Sequence, residues 1–176
     1  YNLLTMPHTT APNFFIREIP VYGDLILSPM AGFSDKPFRA ICRELGSAMS
    51  YTEFVSADGL AHNNRKSWQY FTYAAAERPI AFQLFDHDVD RLAAQCQRVV
   101  DRLHPDTIDI NVGCSVNNVA QRGAGAGLLR TPDKIAEFGS VNIMVKQGSA
   151  GALQLSRIPL PPMPDYLKQV IEEQKS

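Results

Sequence analysis

The sequence of 176 residues has no run of about 18 uninterrupted apolar residues, so no segment reads as a membrane-spanning helix. Its first residues, YNLLTMPHTTAPNFF, lack the basic start and apolar block of a signal peptide. Neither sign of charge dominates. Seventeen basic residues stand against 18 acidic ones, a net charge of −1, so no global field favours a nucleic acid or an acidic membrane, and any such partner needs a local patch. Three cysteines, an odd number without a CxxC pair or a zinc-ligand spacing, fit a reducing compartment better than a disulfide framework and give no reason to expect a metal. Together these absences predict a soluble, cytoplasmic chain whose thiols must each be explained singly.

What is present is a core. A hydrophobic content of 45% suits one globular domain. From Leu25 to Phe138 short apolar runs alternate with helix-period segments, the pattern of βα units around a parallel sheet. Four strands are predicted: LILSP (25–29), MSYTEFVS (49–56), PIAFQLF (79–85) and TIDINVG (107–113). Their apolar and β-branched residues run on without strict alternation, as in strands covered on both faces.

The helices between carry their own punctuation. In SDKPFRAICRELG, Ser34 or Asp35 can cap the free N–H groups, Pro37 suits the first turn and Gly46 can end the helix; Phe38, Ile41, Cys42 and Leu45 fall on one face. DVDRLAAQCQRVVDRL places Val89, Leu92, Ala93, Cys96, Val99, Val100 and Leu103 at helical spacing. TPDKIAEF opens another helix at Thr131 and Pro132. After Phe138 glycines, serines and a proline cluster change the character; only VNIMV suggests a strand and DYLKQVIEEQ a short helix. The expected division is an extension over 1–24, a βα body over 25–138 and a divergent tail over 139–176.

Candidate chemistry gathers at the strand ends. Cys42 and Cys96 lie on helix stripes, where cysteine packs as a small hydrophobe. Cys114 instead follows the glycine ending a strand, where ligands and catalytic groups collect in parallel α/β sheets, so it reads equally as reagent or filler. All four histidines precede it in the chain and no hydrolase signature surrounds it, which disfavours a Cys–His nucleophile. Gly123, Gly125 and Gly127 do not follow a strand directly, so they suggest a flexible loop passing close to something bulky rather than a dinucleotide fingerprint. Gln83 interrupts an apolar strand. Its amide needs partners, either in the core or on a ligand. SPMAG ends the first strand in small residues that let backbone approach a ligand.

Taken together, LSPMAGFSDKPFR, YTEFVSA, RPIAFQLF and DINVGCSVNNVAQRGAGAGLLRTPDKIAE resemble, in order, the strand-end motifs of the flavin-dependent tRNA-dihydrouridine synthases. The resemblance implies the N-terminal half of a TIM-type (β/α)8 barrel, with FMN at the strand ends, NADPH as reductant and tRNA uridine as substrate. Residue by residue, it implies that Pro29, Met30 and Ala31 lie against the flavin and that Gln83 bonds the isoalloxazine edge. Asn111 then holds the uracil and Cys114 is the proton donor. Hydride from the reduced flavin goes to C6 of the uracil and a proton to C5. An ordinary cysteine, of pKa about 8.5, carries that proton at neutral pH. Ser115 stands where the family usually has proline.

Such a barrel typically needs about 250 residues, so the resemblance implies a chain truncated after the fourth βα unit, with weak FMN binding and self-association through an open sheet edge. Lys146 is a candidate for the family's lysine after the fifth strand, and Lys36, Arg39, Arg122 and Arg130 are candidates for phosphate contacts. The alternatives are an inactive fragment or binding module, or another flavin-dependent barrel oxidoreductase.

Overall fold

A computed structural model describes residues 11–142 and 156–157. Strands β1 (Phe14–Ile16) and β2 (Ile19–Val21) form an antiparallel hairpin turning at Arg17. Ile16 and Val21 pack with Ala48, Met49, Tyr51 and Ala81, so the hairpin covers part of one face of the sheet that follows.

That sheet is parallel and has the predicted chain order. Over the first predicted strand, Ile26 bridges Met49, with Leu27 N–H donating to Met49 O at 3.1 Å. The second predicted strand is two short pieces, β3 (Ser50–Tyr51) and β4 (Val55–Ser56), both paired with β5 (Ile80–Phe85); β6 (Thr107–Ile110) pairs with the other edge of β5. The break has a register cause. Tyr51 lies opposite Ala81 and Val55 opposite Leu84, so one extra residue is accommodated between them, which is the geometry of a β-bulge. Thr52 fills the gap in the ladder: its N–H donates to Ala81 O and its Oγ1 accepts from Gln83 N–H.

Helix α1 (Lys36–Glu44) starts as expected, with Asp35 accepting from Phe38 N–H at 3.0 Å, and ends before Gly46, whose φ of +101° is costly for any other residue. Its orientation differs from the expectation. Phe38, Ile41 and Leu45 face outward, Ile41 and Leu45 each at 55% exposure, and Cys42 is half-buried. The side turned inward carries Arg39, 1% exposed. A charge can occupy that side because every edge of the guanidinium is bonded, to Glu77 Oε2, Ser34 O and Thr72 O, each at 2.7 Å. Arg39 is therefore no phosphate contact.

Two five-residue helices that the apolar periodicity does not reveal, α2 (Ala57–Ala61) and α3 (Arg65–Gln69), fill the crossover from β4 to β5, capped by Ser56 and Asn64. Helix α4 (Val89–Leu103) is capped by Asp88 and buries Leu92, Cys96, Val99 and Val100, the first three in the main core with Ile80, Phe82 and Leu84 of β5. Phe82 stacks on Phe71 at 4.7 Å between centroids, and Tyr73 meets its edge. Beyond β6 come α5 (Asn117–Ala120), a 3-10 helix over Gly125–Arg130, and α6 (Pro132–Ser140). Short strands β7 (Val141–Asn142) and β8 (Ser156–Arg157) pair antiparallel, so the start of VNIMV does not extend the parallel sheet. Lys146 and the DYLKQVIEEQ segment lie outside the described residues. No described helix is long and apolar enough to cross a membrane.

Candidate functional site

Period-two geometry builds the site. Asp109 and Asn111, two residues apart, belong to one face of the chain at the end of β6, and register sets Gln83 of β5 beside Asp109. Asn111 Nδ2 donates to Gln83 Oε1 at 3.0 Å, and Gln83 Nε2 donates to Asp109 Oδ2. On its other side Asn111 Oδ1 accepts from Gly113 N–H at 3.1 Å and Cys114 N–H at 2.9 Å. Gln83 is 6% exposed, and these partners meet the demand that burial places on its amide. Tyr51 adjoins the same group: burial first, then the Asp109 carboxylate, raises its phenol above the usual value.

The Cys114 thiol is half-buried at the head of this chain of amides. Two of the three glycines after it do not lie in the flexible loop expected from sequence. Gly125 and Gly127 are buried in the 3-10 helix, with Ala126 N–H donating to Cys114 O at 2.9 Å. A Cβ on Gly125, whose φ is +55°, would come within 2.6 Å of Cys114 O, and one on Gly127 within 2.3 Å of Ala120 O. The bulky object that these glycines approach is the protein's own backbone around Cys114 and α5. Cys96 is the opposite case, a thiol pushed up to about 12 by burial.

The segment after the first strand is a knot of polar contacts. Ser34 Oγ accepts from Met30 N–H at 2.9 Å and donates to Met30 O at 3.0 Å. Gly32 N–H donates to Glu53 Oε2 at 2.5 Å, and Arg39 holds Ser34 O. Glu53 sits in the bulge between β3 and β4, which turns this 7%-exposed carboxylate toward the loop. Pro29, Met30 and Ala31 are thus presented by a loop tied to three elements, with Met30 and Ala31 at the surface. Beside it opens a cavity of about 360 Å³ whose lining includes Lys36, Glu53, Lys66 and Tyr70. Among the described residues no hydrogen bond links Pro29, Met30 or Ala31 directly to the Gln83–Asn111–Cys114 group. Among the described residues no cluster of three or more His, Cys, Asp or Glu side chains could hold a metal ion.

Gln83, Asn111 and Cys114, the candidates from sequence, are brought together by the fold. Glu53 and Asp109 are not among those candidates. Asp109 carried a usable signal, an acid two residues before Asn111 on an otherwise apolar strand, whereas Glu53 depends on a bulge that no local pattern announces.

The model of the dihydrouridine synthase family matches residues 26–148. The chain belongs to the dihydrouridine synthase family. Among its relatives, tRNA-dihydrouridine synthase B of Pseudomonas aeruginosa is 41% identical over 114 residues, which is 65% of this chain and 34% of that protein. A probable tRNA-dihydrouridine synthase of Aquifex aeolicus is 39% identical over 116 residues, 65% of this chain and 36% of the relative. Another from Treponema pallidum is 32% identical over 122 residues, 69% and 36% of the two chains. The chain spans about a third of the length of the curated relatives it matches. The open four-stranded parallel sheet with flanking helices is what part of the family's TIM barrel looks like.

Proposed function

We propose that this chain carries the redox half of a tRNA-dihydrouridine synthase site, an oxidoreductase site that reduces the C5–C6 bond of a uridine in tRNA. The observation that carries the reading is the continuous hydrogen-bonded run from Cys114 through Asn111 to Gln83 at the end of β5 and β6. It supports a thiol, an amide for the base and an amide for a cofactor within one group, in an order that suits two stacked planar partners.

The residues fit a flavin. A Cβ added to Gly32 or Gly113 would meet nothing within 4 Å, so the backbone leaves open space at both strand ends. The primary amide of Gln83, with Oε1 accepting from Asn111 and one Nε2 hydrogen on Asp109, keeps its second Nε2 hydrogen for the edge of a heterocycle. Pro29, Met30 and Ala31 would back the ring, with Gln83 at its edge. Bound FMN, reduced by NADPH, supplies the hydride. The protein's part is orientation and the proton. Asn111 would hold the uracil with its remaining amide hydrogen, and the Cys114 thiol, anchored through its own N–H and C=O, would hold a proton at Sγ for C5 of the base. The base must leave its stack to reach the site.

The test is nucleoside analysis of tRNA by mass spectrometry. Cys114→Ala, in a protein completed to its relatives' length, is expected to abolish dihydrouridine formation while bound flavin absorbance stays; undiminished turnover overturns the proton-donor role. The 176-residue chain itself is expected to bind FMN weakly, because its described residues offer an amide edge and a backing loop only. Stoichiometric flavin surviving dialysis would contradict that.

A further inference from the structure

A carboxylate only accepts hydrogen bonds, a backbone N–H only donates, and a primary amide does both from two ends of nearly the same shape. The run at the strand ends has one of each fixed kind at its termini. Asn111 Oδ1 faces two donors, the N–H groups of Gly113 and Cys114, so Nδ2 of Asn111 must turn toward Gln83. Gln83 therefore meets it with Oε1, at 3.0 Å, and points Nε2 at Asp109. Reversing either amide would set donor against donor or oxygen against oxygen at a side chain only 6% exposed.

The consequence reaches the ligand. With one polarity satisfied, Gln83 Nε2 and Asn111 Nδ2 each retain a second hydrogen, so what the pair has to offer a ring edge is chiefly donors. We propose that Asp109 is a positioning residue: its carboxylate, acting from the opposite end to the Gly113 and Cys114 N–H groups, holds the Gln83–Asn111 amides in one orientation, and this selects a planar ligand whose facing edge carries acceptor atoms. The ligand half of this inference rests on the flavin reading; the polarity half does not.

Two variants of the chain separate the possibilities. Asp109→Asn supplies a group that can donate or accept, so Gln83 is then held from the Asn111 side alone, with a weaker, uncharged partner at 109. Asp109→Asn combined with Gln83→Glu moves the carboxylate one place along the run; the amides at 109 and 111 then both donate to it, every bond is kept, and the Gln83 donor is gone. Side-chain amide resonances in 15N–1H spectra, recorded without ligand, should show for the unaltered chain a single Gln83 NH2 pair with one hydrogen shifted downfield and slow to exchange. In Asp109→Asn that pair should move upfield or split.

In FMN titrations followed by fluorescence quenching, Asp109→Asn should bind about five- to tenfold more weakly, the worth of one hydrogen bond. The double variant should melt close to the unaltered chain yet bind no better than Asp109→Asn. Unchanged Gln83 resonances in Asp109→Asn, or a double variant that binds FMN as tightly as the unaltered chain, overturns the proposal. If the unaltered chain fails to quench FMN at all, the flavin reading falls, and the amide spectra alone decide whether Asp109 sets the polarity.

Discussion

Three thiols in one chain have three different surroundings, and they should react accordingly. Cys96, wholly buried on the inner face of α4 with its thiol pushed up to about 12, should be the slowest to alkylate with iodoacetamide at pH 8, and Cys114 and Cys42, both half-buried, faster. Peptide mapping of the time course checks the order. Gly125→Ala should disturb Cys114 from a distance of one contact: the new Cβ has both a positive φ and a carbonyl 2.6 Å away to contend with. Loss of thermal stability together with a changed Cys114 alkylation rate is the expected result, and an unchanged rate would show that the 3-10 helix does not hold the cysteine in place.

At the scale of elements, buried ionic ties do the joining. Arg39 and Glu77, both 1% exposed, link α1 to the segment before β5 while Arg39 also holds the loop through Ser34 O. Arg39→Leu leaves the buried Glu77 without its ion-pair partner, only the Ala74 N–H still donating to its carboxylate, and should cost about 3–5 kcal/mol in urea unfolding, more than the double change to two leucines. Asp86, at the end of β5, accepts from Arg91 in the first turn of α4. Burial alone would raise its carboxyl, but the hydrogen bonds from Arg91 and from the N–H groups of Asp88 and His87 outweigh that and hold it below the usual value.

A carboxyl lowered on folding contributes stability that is fully present above its ordinary value of about 3.9 and is lost as pH falls through the folded value. The urea midpoint should therefore drop below about pH 4, and Asp86→Asn should be less stable at neutral pH with a shallower drop. Equal slopes would show that Asp86 is not the group responsible. The helix that carries Arg91 is legible in sequence, since its apolar stripe lies within one local window. The Arg39 tie is not, because its partner is 38 residues away.

For the whole molecule, the outward apolar face of α1, with Leu25 and Ile26 exposed nearby, predicts association. The chain of 19.5 kDa should elute with a concentration-dependent mass above the monomer in light scattering, and Ile41→Glu with Leu45→Glu should shift it toward the monomer. A monomer at every concentration would remove the expectation. The sequence by itself determined what local chemistry can determine: the alternation of strands and helices, the cap at the start of α1, the apolar stripe of α4, and the placing of Gln83 near, and Asn111 and Cys114 just beyond, the strand ends. These follow from spacing within a dozen residues. Only the tertiary structure decided the bulge that aims Glu53 at Gly32, the register that sets Asp109 beside Gln83, and the burial of Arg39 in place of its apolar neighbours. Each of these depends on a partner from a different strand or loop, and no pattern within one element encodes which partner will be there.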